Sequence, residues 1–94
     1  KAGSETLCRA VAKEEGRFGV RANTVAPGIM EVGIGGKLKG EIYSDAIWEQ
    51  SKKSTPLRRF GTGEDVAGIT AFLCSGEASF ITGQTIIADG GLSL

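Results

Sequence analysis

The dipeptide Pro27-Gly28 closes the mostly β-compatible run Val20-Arg21-Ala22-Asn23-Thr24-Val25-Ala26. In an open α/β sheet ligands sit at the carboxyl ends of strands, and glycine lets backbone approach a ligand closely. A plain strand-ending turn uses the same two residues, and the dipeptide alone does not choose between these readings. Arg58-Arg59 invites an anion-binding reading, yet adjacent arginines ahead of a helix more often pair with carboxylates such as Glu64 or Asp65. Cys8 and Cys74 lie far apart in apolar segments, and the chain has no histidine, so no zinc-ligand constellation and no metal site are expected. A catalytic cysteine needs an activating base, and none is evident, so both are read as reduced, buried thiols. Lys1, taken alone, is a solvated surface charge.

Eleven basic and eleven acidic side chains are spread along the 94 residues, which leaves no electrostatic footprint for a nucleic acid. No apolar run approaches the roughly 20 residues that cross a bilayer, and the first residues lack a signal-peptide pattern. A soluble, cytoplasmic location with no membrane partner is expected. The size suits one domain, or a piece of one, with a thin core. The sequence begins at Lys1 and its only methionine is Met30, so it reads as an excerpt or a processed product.

The elements that would position these residues follow from periodicity. From Ala2 to about Glu15 the residues Leu7, Cys8, Val11 and Ala12 share one face at helical spacing, and Gly16 and Gly19 then mark a stop. A buried strand covers Val20 to Ala26 and ends at Pro27-Gly28. A glycine-bearing loop runs from Ile29 to Thr55 and carries a short helix at Ser44 to Lys53, with Ile47 and Trp48 as its apolar members. Thr62 with Asp65 three residues later fits a helix N-cap, and Val66, Ile69, Phe72 and Leu73 continue at helical spacing to Ser75 and Gly76. Gln84 to Ala88 reads as a second strand, stopped by Asp89-Gly90-Gly91. Two strands joined by a helical crossover should be parallel, and a parallel sheet is covered by helices on both faces. Two strands make a poor sheet, so a larger amino-terminal half is expected.

In order, Lys1-Ala2-Gly3, Val20 to Gly28, Thr55-Pro56-Leu57-Arg58-Arg59-Phe60-Gly61, Glu64-Asp65-Val66-Ala67, Phe72-Leu73-Cys74-Ser75, Ile81-Thr82-Gly83-Gln84 and Asp89-Gly90-Gly91 resemble the classical short-chain dehydrogenase/reductase family across essentially the whole chain. The resemblance implies an α/β fold, namely the C-terminal part of a single Rossmann-like NAD(P)-binding domain with a doubly wound parallel sheet. It places Lys1 at the lysine of the family's Tyr-x-x-x-Lys motif, where it would bond the nicotinamide ribose and favour the tyrosine's phenolate. The backbone near Pro27, Gly28 and Ile29 would hold the nicotinamide end of NAD or NADP. At Val32 the family often has a threonine touching the cofactor, so a side-chain hydroxyl is lost there. The stretch from about 29 to 55 would be the substrate loop, with Ile34, Leu38, Tyr43 and Trp48 facing a fairly apolar substrate. Trp48 and Ile47 could equally form a packed helix face. Gly33, Gly35 and Gly36 follow no strand-to-helix start and are not the family's phosphate-cradling turn. The family's catalytic tyrosine, serine and asparagine have no counterpart in these residues.

The function implied is hydride transfer between a nicotinamide cofactor and a carbonyl/alcohol substrate, with 3-oxoacyl-thioester reductases as the nearest general type and a homotetramer or dimer as the assembly. The alternative is a catalytically incomplete chain that acts at most as an oligomerisation module through its first helix and last strand. A third reading, an enoyl-thioester reductase, shares Thr55 to Arg59 and Phe72 to Ser75, but that branch has Gly-Pro after the strand where this chain has Pro27-Gly28.

Overall fold

A computed structural model describes residues 2–31 and 45–94. In chain order they form α1 (Ala2–Glu15), a 3-10 turn (Gly16–Phe18), β1 (Thr24–Pro27), α2 (Asp45–Ser54), α3 (Gly63–Leu73), a second 3-10 turn (Gly76–Ala78) and β2 (Thr85–Ala88). The order matches the one expected from periodicity. The chain divides into two compact units, Lys1–Ala26 with Gly68–Ile86 and Pro27–Ala67 with Ile87–Leu94.

β1 and β2 pair in a two-stranded sheet. The Thr24 N–H donates to Gln84 O at 2.8 Å and the Gly28 N–H to Ala88 O at 3.1 Å, so the partner number rises with the residue number and the strands are parallel. Thr24 and Gly28 therefore point their N–H groups at β2. Residues one step along a strand point theirs the other way, so Pro27, which has no N–H, costs this ladder nothing. That is why the strand includes Pro27 when its residue type suggested a stop.

The strand begins at Thr24, four residues later than expected. Before it, one backbone bond, from the Gly83 N–H to Ala22 O at 2.7 Å, is joined by side-chain bonds. Thr82 Oγ1 accepts from the Ala22 N–H at 3.1 Å, and Asn23 Oδ1 accepts from the Gln84 N–H at 3.0 Å. Asn23 Nδ2 donates to Ile81 O, and the Arg21 guanidinium donates to Ile81 O and Ser75 O.

In the first unit, α1 carries Glu5 in its first turn and Lys13 in its last, each complementing the helix dipole. The 3-10 turn after it closes on Gly19, whose φ of 80° suits a residue without Cβ. Of the apolar face expected on α1, only Ala12 is buried, while Cys8 and Val11 are half-buried and Leu7 is exposed. The inward side centres on Ala12 with Cys8 one turn earlier, and Leu7 lies about 100° round from Cys8. The same rotation corrects the reading of both cysteines as buried. Leu73 closes α3 facing inward, which turns the adjacent Cys74 outward. Both thiols are free, with Cys8 half-buried and Cys74 exposed.

In the second unit, the first turn of α3 is fixed by Asp65. Its Oδ2 accepts from the Thr62 N–H at 2.7 Å and from Thr62 Oγ1 at 3.2 Å, which is the reach-back half of a capping box. Arg59 clasps the same carboxylate through two nitrogens at 2.7 and 3.0 Å. These contacts, the Arg59 hydrogen bond foremost, hold the Asp65 carboxyl well below the usual carboxylate range. A carboxyl whose folded pKa is depressed contributes stability above its unfolded pKa of about 4 and loses it as pH falls toward the folded value. Asp65→Asn is accordingly expected to flatten the acid limb of the melting temperature against pH below about pH 4. Parallel acid limbs for the two proteins would show that the carboxylate is not held in this way.

Candidate functional site

Gly28 follows β1 directly, and its N–H bond to Ala88 continues the ladder past the end of the strand. A Cβ built on Gly28 would lie 2.6 Å from Asp89 Cβ and 2.8 Å from Asp89 Cα. Both distances are far inside van der Waals contact, so glycine is required here by close approach. The neighbour that needs the space is this chain's own Asp89, a role that residue type alone did not reveal.

The next residues are pinned from another direction. The Gly61 N–H donates to Ile29 O at 2.8 Å and the Glu31 N–H donates to Gly61 O at 2.9 Å, forming a parallel bridge between Met30 and Gly61. The stretch 28–31 is thus fixed on one side by the residues after β2 and on the other by Gly61. Phe60, immediately before that bridge, is 3 % exposed. Its ring meets Trp48 of α2 edge-on, with centroids 5.0 Å apart and planes at 78°.

The turn after β2 is equally constrained. Asp89 Oδ1 accepts from the Gly91 N–H at 2.9 Å and Oδ2 from the Ser93 N–H at 3.0 Å. Hydrogen bonding from Ser93, followed by the Gly91 and Ser93 backbone, draws the Asp89 carboxyl below its ordinary range. Gly90 and Gly91 adopt φ of 66° and 92°, and added Cβ atoms would meet Thr55 Cγ2 at 2.8 Å and Pro56 Cγ at 2.9 Å. The Leu57 N–H donates to Gly90 O at 3.1 Å. The Asp89-Gly90-Gly91 signature therefore shapes a turn on which the Thr55-Pro56-Leu57 segment is seated.

Of the residues the sequence singled out, the structure brings Pro27, Gly28 and Ile29 together at the carboxyl ends of the two parallel strands. Trp48 faces inward against Phe60, whereas Ile47 is exposed, so the packed-face reading holds for Trp48 and not for Ile47. Lys1, Val32, Ile34, Leu38 and Tyr43 lie outside the described residues. Neither arginine of the Arg58-Arg59 pair is set up as an anion site. Arg59 is engaged by Asp65, and Arg58 donates to the carbonyls of Lys53 and Thr55. Among the described residues no three His, Cys, Asp or Glu side chains stand together as metal ligands would. No helix among them is long and apolar enough to cross a membrane.

Residue type alone gives Arg21 and Asn23 no role beyond their place in a motif, although both tie the residues just before β1 to the segment 75–84. The signal was present: polar side chains at alternate positions of an otherwise apolar run. A cavity of about 380 Å³ opens beside them, lined also by Thr70, Leu73 and Cys74. The Arg21 guanidinium at its wall is already committed to two backbone carbonyls. The strand-end edge is a stretch of backbone held from both sides.

Comparison with known proteins agrees with this geometry. Residues 1–93 match the family profile described as Enoyl-(Acyl carrier protein) reductase. The chain is 42 % identical over 94 residues to the Putative oxidoreductase YtkK of Bacillus subtilis, covering 100 % of this chain and 35 % of that protein. It is 40 % identical over 92 residues to the 3-oxoacyl-(acyl-carrier-protein) reductase FabG of Aquifex aeolicus, covering 98 % and 35 %. The crystal structure of a short chain dehydrogenase from Bacillus anthracis superposes with a TM-score of 0.85 at 37 % identity, covering 100 % of this chain and 35 % of that one. The chain spans about a third of the length of the curated relatives it matches.

Proposed function

The chain belongs to the short-chain dehydrogenase/reductase family, and from that premise we propose that the whole protein is an NAD(P)-dependent oxidoreductase acting on a carbonyl/alcohol pair, with a 3-oxoacyl thioester as the favoured substrate class. The observation that carries this reading is the pinned backbone of Pro27, Gly28 and Ile29 at the carboxyl end of β1, held by Ala88 on one side and Gly61 on the other. An edge held from two sides does not have to be ordered when ligand arrives, which lowers the cost of binding.

A nicotinamide cofactor would be held here through the backbone. The bare face of Gly28 is filled by Asp89 and leaves no cradle, so the contact falls to the polar groups flanking it. The cofactor, when bound, supplies or accepts the hydride. Pro27, Gly28 and Ile29 would fix the position of its nicotinamide end, and Val32, without a hydroxyl, would leave a backbone contact there. Lys1 holds the ribose and, as a nearby cation, favours the phenolate form of a general-acid tyrosine that these 94 residues do not supply. Residues 29–55 would be the substrate segment, with Ile34, Leu38 and Tyr43 as apolar members suited to an acyl chain and Trp48 anchoring the segment's helix on Phe60.

Similarity to a 3-oxoacyl-(acyl-carrier-protein) reductase favours a thioester substrate. Subunit association as a dimer or tetramer would run through α1 and β2, on which Leu7 and Ile87 are exposed. The complete protein, mixed with NADH or NADPH and a panel of 3-oxoacyl thioesters and simple ketones, is expected to bind one cofactor saturably and to oxidise it with at least one thioester. Absence of any nicotinamide binding would sink the proposal. Turnover with ketones alone would keep the reaction class and remove the thioester.

A further inference from the structure

Arg58 has φ 58°, and it is the only non-glycine residue among the described residues in the left-handed region. A Cβ is disfavoured there, so glycine would suit the backbone better. The reason for an arginine must therefore lie in its side chain. Arg58 Nη1 donates to Lys53 O at 2.7 Å and to Thr55 O at 3.1 Å. Lys53 lies in the last turn of α2 and Thr55 directly follows it, where the last carbonyls of a helix lack partners within it and carry the negative end of its dipole.

The base from which Arg58 reaches is itself fixed. Its own N–H closes a turn onto Thr55 O at 2.8 Å, and Leu57 and Pro56 rest on Gly90 and Gly91. Of the two lysines in the last turn of α2, Lys52 is turned to Glu49 at 3.4 Å and to the face of Phe60. The guanidinium of Arg58 thus ties the end of α2 to a turn that the residues after β2 hold in place. Trp48, in the first half of α2, anchors the same helix on Phe60.

We propose that Arg58 is a positioning residue that sets the angle at which α2 enters the Thr55–Arg58 turn, and with it the placement of residues 45–55 of the substrate segment. The second half of this statement rests on the reading of residues 29–55 given above. Arg58 touches neither substrate nor cofactor in this scheme. It acts through the carbonyls it caps.

The test compares wild type, Arg58→Gly and Arg58→Lys in the complete protein, by amide hydrogen exchange across residues 45–55 and by steady-state kinetics with the best substrate of the panel. Glycine frees the backbone and removes the cap, so exchange near the end of α2 is expected to quicken roughly fivefold and substrate KM to rise by a similar factor, with cofactor KM unchanged. Lysine keeps a charge but not the two-carbonyl reach, and its values should fall between the others. Unchanged exchange in both variants overturns the cap. Faster exchange with unchanged substrate KM overturns the positioning role. Should Arg58→Gly fail to fold, Arg58→Lys carries the same comparison with smaller shifts. A wild type without nicotinamide turnover refutes the proposed function instead, and the exchange comparison still decides the cap.

Discussion

Replacing Trp48 by alanine is expected to destabilise the complete protein by about 3–5 kcal/mol, the range for truncating a large buried aromatic. Trp48 is 7 % exposed and is the only buried side chain of α2, because Ile47, the helix's other large apolar residue, is 51 % exposed. The docking of α2 therefore rests mainly on one indole. It lies edge-on against Phe60, an arrangement that adds about 0.5–1.5 kcal/mol beyond the area buried. Lys52, 5.5 Å from the same Phe60 ring, secures the helix one turn later. Ile47→Ala provides the comparison, and a surface truncation of that kind should stay within about 0.5–1 kcal/mol. Denaturant unfolding of the two variants measures the difference. Equal losses would mean that the Trp48–Phe60 contact does not hold α2.

The second large effect is expected at Gly28. Alanine there meets no backbone penalty of the left-handed kind, since Gly28 is not among the positive-φ glycines. The whole cost comes from contact with Asp89 at 2.6 and 2.8 Å, and one of the opposing atoms is backbone Cα, which cannot swing aside. Overpacking of this kind costs about 1–3 kcal/mol. The strands must part at their carboxyl ends to admit the methyl, so the proposed nicotinamide contacts of Pro27 and Ile29 should weaken together with stability. Gly68→Ala in the middle of α3 is the matching control, because its Cβ would meet nothing within 4 Å. Helix propensity should make that change neutral or stabilising by up to about 1 kcal/mol. Thermal melts and cofactor titration of the two variants read both effects. If Gly28→Ala melted and bound cofactor like wild type, Asp89 would be free to move and the pinned edge would not exist.

Much of this could be read from the residues in order. The helical spacing of Leu7 to Ala12 with glycines after Glu15 gave α1 its bounds, and Thr62 with Asp65 marked the start of α3. The ordered motifs from Val20 to Gly91 pointed to the family, because each records a local conformation that a few neighbouring residues specify. Lys1 and Val32 were named by the same resemblance, and they lie outside the described residues.

Contacts between distant residues were not legible. Asp89 against Gly28, Trp48 against Phe60, and Arg21 and Asn23 against Ile81 and Gln84 all depend on which strand or turn lies opposite which. Periodicity reports which way a side chain faces along its own element and nothing about the partner it meets. The sequence by itself determined the elements, their order and the family. Tertiary structure alone decided that Gly28 yields its space to Asp89, that Pro27 points away from β2, and that Arg58 accepts a left-handed backbone to cap a helix. Each of these follows from the register of two short parallel strands and of the turns seated at their ends, and register is fixed only when separated parts of the chain meet.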